Sequence, residues 1–121
     1  MAAAQNLIGI GIPDEAARRL GFIVSTKTGV GTAQSGATAI TGNLTVTTTS
    51  SGQTAFILPK TIAGSGPLVV TNPNSDAALI FGQTGETIDG GSTNASVSIA
   101  QNKTRAFFKT GSSTWISVLT A

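Results

Sequence analysis

"AFILPKTIAGSGPLVVTNPNSDAALIFG", residues 55–82, holds three short apolar runs, each ended by residues that break regular structure. The runs "AFIL", "LVV" and "ALIF" are rich in branched and aromatic side chains and are far too short to be stable helices. Pro59, the "AGSG" loop and the "NPNSD" cluster between them supply turn chemistry. The stretch reads as strand, turn, strand, turn, strand.

The same rhythm runs outward in both directions. Strands are expected at 37–49, 53–58, 67–71, 77–81, 86–88, 95–100, 104–110 and 114–120, with breaker-rich links such as "SSGQ", "GQTG", "DGGSTN" and "TGSS" between them. About eight short strands at close spacing predict an all-β domain over 37–121, an antiparallel β-sandwich of jelly-roll type. Composition agrees. Gly, Ser and Thr fill 46 of the 121 positions, and threonine's branched Cβ suits a pleated strand better than a helix. Charged residues make up only 10% while apolar ones reach 40%, the opposite of a disordered chain.

The front end reads differently. In "GIGIPDEAARRLGF", Pro13 suits a first helical position, Asp14 and Glu15 the first turn, and Arg18 and Arg19 the last. Gly21 suits the stop, with Leu20 just before it. Such a helix is too short to be stable by itself, so it must dock. A short extended piece and a Gly-rich link, "FIVSTKTGVGTAQSG", follow it. Residues 1–36 therefore read as a docking arm. Its aliphatic anchors are Leu7, Ile8, Ile10, Ile12 and Leu20, with Pro13, Asp14, Glu15, Arg18 and Arg19 fixing its register.

The strands disagree about how many faces they bury. In "NASVSIAQ", Val97 and Ile99 alternate with serines, as in a strand with one wet face. "AFILP", "LVVTN", "ALIFG" and "WISVL" carry apolar residues on both faces, more than one small interior can cover. Self-association through outer sheet faces is expected, as a homotrimer, with Phe56, Leu58, Val69, Phe81, Phe107 and Trp115 at the subunit interface.

Chemistry is poorly provided for. Histidine, cysteine and tyrosine are absent, which removes the usual general base, the thiolate nucleophile and the common zinc ligands. Asp76, Glu86 and Asp89 could approach one another, but their spacing matches no calcium loop. "KTGVGTAQSG" lacks the Gly-Lys-Ser/Thr ending of a phosphate loop. Net charge is +2 without a basic run, so nucleic acid is not an expected partner. No apolar run approaches the length of a membrane span, and the start lacks the basic region of a signal peptide. The sequons at Asn43, Asn94 and Asn102 follow from a Thr/Ser-rich composition. Trp115 and Phe107 are the candidates for a sugar-stacking surface. No enzyme, cofactor or metal is expected.

The segment "LIGIGIPDEAARRLGF", followed by the strand-and-turn order from "SGQTAFILP" to "STWISVL", resembles small tailed-bacteriophage virion proteins of the capsid decoration, or cement, type. The resemblance implies a structural protein on the virion surface, present in host cytoplasm during assembly. It would bind the major capsid protein through its arm and stabilise the assembled shell. The same resemblance leaves open a tail-tip or fibre module that binds a host glycan.

Overall fold

The computed structural model describes residues 24–62, 64 and 67–120. Among them are ten strands: β1 (Val24–Thr28), β2 (Thr38–Ala39), β3 (Leu44–Thr48), β4 (Ala55–Ile57), β5 (Leu68–Asn72), β6 (Ala78–Phe81), β7 (Thr87–Ile88), β8 (Val97–Ile99), β9 (Lys103–Lys109) and β10 (Thr114–Leu119). No helix occurs among the described residues. The expected helix and the anchors from Leu7 to Leu20 lie outside them.

The strands form two sheets. Sheet A has the order β1-β3-β5-β9-β10-β7, and sheet B the order β2-β4-β6-β8. The chain alternates between them: odd strands β1, β3 and β5 stack in parallel in sheet A, and even strands β2, β4 and β6 stack in parallel in sheet B. Each circuit thus lays one strand on each sheet and returns in the same direction, which is β-solenoid-like stacking. Val24 registers with Leu44 and Leu44 with Val69, so successive coils differ in length. Direction then reverses. β8 closes on β6 and β9 on β5, both antiparallel, β10 folds back on β9 as a hairpin, and β7 joins β10 in parallel.

The antiparallel jelly-roll expectation is therefore wrong in its pairing. Most expected strand positions hold, and the expected 37–49 strand divides into β2 and β3 at 40–43. Although Ser50 and Gln53 close a tight turn of their own, the breaker-rich links do not pair consecutive strands in the first three coils. They turn corners that carry the chain from one sheet to the other, so strands adjacent in sequence are not paired. The short extended piece expected before the Gly-rich link is a strand of the sheet: β1 lies in sheet A along the whole of β3. One corner shows what this stacking demands. A Cβ on Gly29 would stand 2.6 Å from the Gln53 carbonyl oxygen, so two neighbouring coils approach there closer than any side chain permits.

The core lies between the sheets. Val70, Phe107, Trp115 and Ile88 come from sheet A, Phe56, Ala78, Ile80 and Ile99 from sheet B, and Ile40 and Leu58 from the corners. Inward threonines join them: Thr45 and Thr47 on β3 are fully buried. Burying them beside Val70 leaves the other face of the same strands to Leu44, Val46 and Val69.

Candidate functional site

Three polar clusters stand out among the described residues. The first is buried in the last turn of the fold. Lys109, inward on β9, donates from Nζ to Glu86 Oε2 at 2.5 Å, while Trp115 Nε1 donates to Glu86 Oε1 at 2.8 Å. The Gln83 amide also donates to Oε1, at 2.7 Å, and the Lys109 ammonium lies 5.1 Å from the centre of the Trp115 ring. Burial alone would raise the Glu86 carboxyl. The hydrogen bonds from Lys109, Trp115 and Gln83, together with the Lys109 charge, outweigh it and hold the group below the ordinary glutamate value. The carboxylate is thereby held by three donors from β9, β10 and the turn before β7, which makes the cluster a structural clasp.

The second cluster joins β7, β9 and β10 near the surface. Asp89 follows β7 with φ +56°, accepts from the Ser117 amide at 2.6 Å, and accepts from Ser117 Oγ at 2.5 Å. Arg105 Nη1 donates to Ser117 Oγ at 2.6 Å and lies 3.5 Å from Asp89 Oδ2. The serine hydroxyl is held from both sides, an arrangement that ties three strands together. The third cluster is centred on Asn72, buried at the end of β5. Its Oδ1 accepts from Thr47 Oγ1 at 3.0 Å and from the Asn74 amide at 3.1 Å. Its Nδ2 donates to the Asp76 and Ile99 carbonyls, each at 2.9 Å. One side chain thus links the second coil, the third coil and β8.

These contacts also separate the three carboxylates weighed as a metal site. Glu86 is committed to Lys109 and Trp115, and Asp89 to Arg105 and Ser117. Among the described residues, no three His, Cys, Asp or Glu side chains are grouped as a metal would need. The sugar-stacking candidates are enclosed as well: Trp115 is 2% exposed and Phe107 not at all.

The expected interface residues divide in an informative way. Phe56, Leu58 and Phe107 are fully buried, Trp115 and Phe81 nearly so, all within this one chain. Phe56, Leu58, Phe107 and Trp115 fill the core between the sheets, whereas Phe81, paired with Ile57, lies on the opposite face of sheet B from Phe56 and Ile80 and is covered there. Val69 is different: it is half-buried and points away from the core, between inward Leu68 and Val70.

Val69 belongs to a continuous apolar row. The register runs Val24–Leu44–Val69–Ala106–Val118 across β1, β3, β5, β9 and β10. Paired residues in a sheet share a face, so these five side chains lie together on the outer side of sheet A. Phe108 and Ile116, also paired, extend the patch at one end of the row. Beyond the other side runs a row of Thr26, Val46, Thr71 and Thr104. The rim of the patch is open to solvent, with Val24 at 60%, Val118 at 61% and Ile116 at 48% exposed.

Every cationic residue in the strands of sheet A lies on the other face. Lys27 registers with buried Thr47, Lys103 with Asn72, Arg105 with Val70 and Lys109 with Trp115. The usual polarity is inverted: the charges point inward or to the inner margin, and the uncharged face looks out. Sequence reading detected apolar residues on both strand faces but not which face is the interior. The signal was present in "KTRAFFK", where Lys103, Arg105 and Lys109 take the inward phase and Ala106 and Phe108 the outward one.

Comparisons with family models, curated proteins and solved structures find no match to this chain.

Proposed function

We propose that this chain is a non-enzymatic virion protein of the capsid decoration type, which binds the outer surface of a bacteriophage head as an oligomer and stabilises the assembled shell. The observation that carries this reading is the uncharged apolar face of sheet A, a surface suited to the self-association of an oligomer, which leaves residues 1–22 to meet the shell. Such a protein needs shape-matched contact repeated by symmetry, so that many modest contacts add up. Binding only to the assembled shell would stabilise that state by mass action. The resemblance of the front segment and of the strand order to cement proteins supports the same reading. The glycan-binding alternative is weakened by the burial of Trp115 and Phe107, its two candidate platforms.

In this reading the major capsid protein is the partner of residues 1–22, whose aliphatic side chains supply energy and whose charges set register. Co-sedimentation with expanded, empty heads of the encoding phage tests it. The full chain should pellet with heads at saturable occupancy. A chain lacking residues 1–22 should keep its β-sheet circular dichroism and lose the heads, and Arg18→Ala with Arg19→Ala should weaken binding less. A full chain that stays in the supernatant at every ratio rejects the decoration role, and a truncated chain at full occupancy rejects the arm as anchor.

A further inference from the structure

We propose that the outer face of sheet A binds the same face of a second copy of this chain, giving a two-fold dimer. This deepens the oligomeric part of the proposed function and is tested apart from head binding.

Three observations select a second copy as the occupant. First, the face carries no charge, because the strand lysines and the arginine of sheet A all register with inward residues. A charged partner would find nothing there to pair with. An identical surface meets no like-charge repulsion and leaves no ion desolvated without a partner. Second, the patch is centred on Val69, with two strands of the row on either side. A face of this symmetry can be turned over onto itself so that Val69 of each copy lies near the axis, as an isologous contact requires. Aliphatic sheet faces pack in this way about 10 Å apart.

The third is size. With strands about 4.8 Å apart and about 3.3 Å per residue, five strands of five to six residues cover roughly 24 Å by 18 Å. Two such faces enclose about 900 Å² in plan, and side-chain relief brings the accessible area close to the roughly 1,000 Å² expected of a genuine interface. The whole face is needed to reach that figure. A face that meets its own copy about a two-fold axis is used up by one partner, which favours a dimer over the threefold association expected from the strand patterns.

Light scattering on the full chain, from micromolar to high-micromolar concentration, is the first measurement. The mass should rise to about twice the 12.1 kDa of a single chain and go no further. Ile116→Lys with Val118→Lys, at exposed positions, should return it to a single chain with unchanged circular dichroism. Because cysteine is absent, single cysteines report contact directly. Val69→Cys should be captured as a covalent dimer by a short bismaleimide, and exposed Ser98→Cys, on sheet B, should not. The cysteine pair decides the matter even if the lysine variants fail to fold. A single-chain mass at all concentrations overturns the proposal and leaves the face to the shell or to residues 1–23. A trimer mass, an undiminished dimer in the folded lysine variant, or capture at Ser98→Cys but not Val69→Cys overturns it as well. Head co-sedimentation of the lysine variant then separates this failure from failure of the decoration role.

Discussion

Replacing Lys109 by methionine probes the clasp that closes the last strands onto the coils. Methionine keeps much of the side chain's length and apolar stem but removes the ammonium, so Glu86 Oε2 loses its 2.5 Å partner while remaining buried. Removing one member of a buried ion pair typically costs about 3–5 kcal/mol, since the remaining charge is neither solvated nor paired. Here Trp115 and the Gln83 amide still donate to Oε1, so the lower end, about 3 kcal/mol, is expected. For a domain of this size that corresponds to a fall in Tm of roughly 12 °C or more. Glu86→Gln in the same background should recover most of it, because the amide is neutral and its oxygen can still accept from Trp115 and Gln83. Urea unfolding followed by Trp115 fluorescence measures all four corners of the cycle. If Lys109→Met alone shifts stability by less than about 0.5 kcal/mol, the clasp is energetically idle and the assigned role is wrong.

The same carboxylate makes a pH prediction: its folded value is lowered, so its contribution is complete above the ordinary glutamate range, about pH 4.3 and higher, and is lost as pH falls through the lowered folded value. Acid unfolding of the Glu86→Gln variant should therefore be less steep than that of the parent below about pH 4, and parallel curves would contradict it. Asn72→Ala should cost about 3 kcal/mol, because it removes buried hydrogen bonds to Thr47 Oγ1 and to the Asp76 and Ile99 carbonyls at once and leaves Thr47 Oγ1 only the Thr71 carbonyl, whereas Asn74→Ala, at a half-buried turn position, should cost about 1. Equal midpoints for the two variants in urea would show that the buried amide does not hold the coils together.

The strand segments were readable because they depend on local properties. A branched or aromatic run bounded by Gly, Pro, Asn or Asp declares a strand whatever it pairs with, and the runs at Ala55–Ile57, Leu68–Asn72 and Ala78–Phe81 fall where the pattern puts them. The suspicion of a second buried surface was also local in origin, since "LVV" and "WISVL" are apolar at consecutive positions. Pairing was not readable. A link such as the one from β3 to β4 has the same turn chemistry whether it returns the chain beside its own strand or carries it to the other sheet. That choice is made by contacts across coils, such as Asn72 reaching Ile99 and Gly29 closing on Gln53. The coils differ in length, so no regular repeat announced the parallel stacking.

Residue types alone determined that this protein is β-rich and sparsely charged, and that it lacks histidine, cysteine and tyrosine. Only the tertiary structure decided which face of each strand is the inside. Phe107 and Phe108 are identical in chemistry and adjacent in sequence, yet one is fully buried and the other lies on the outer face. The difference is one step of the pleat, fixed when β9 aligns with β5 so that Phe107 meets Leu68 and Arg105 meets Val70. Register is a property of two strands, and neither strand's sequence contains it.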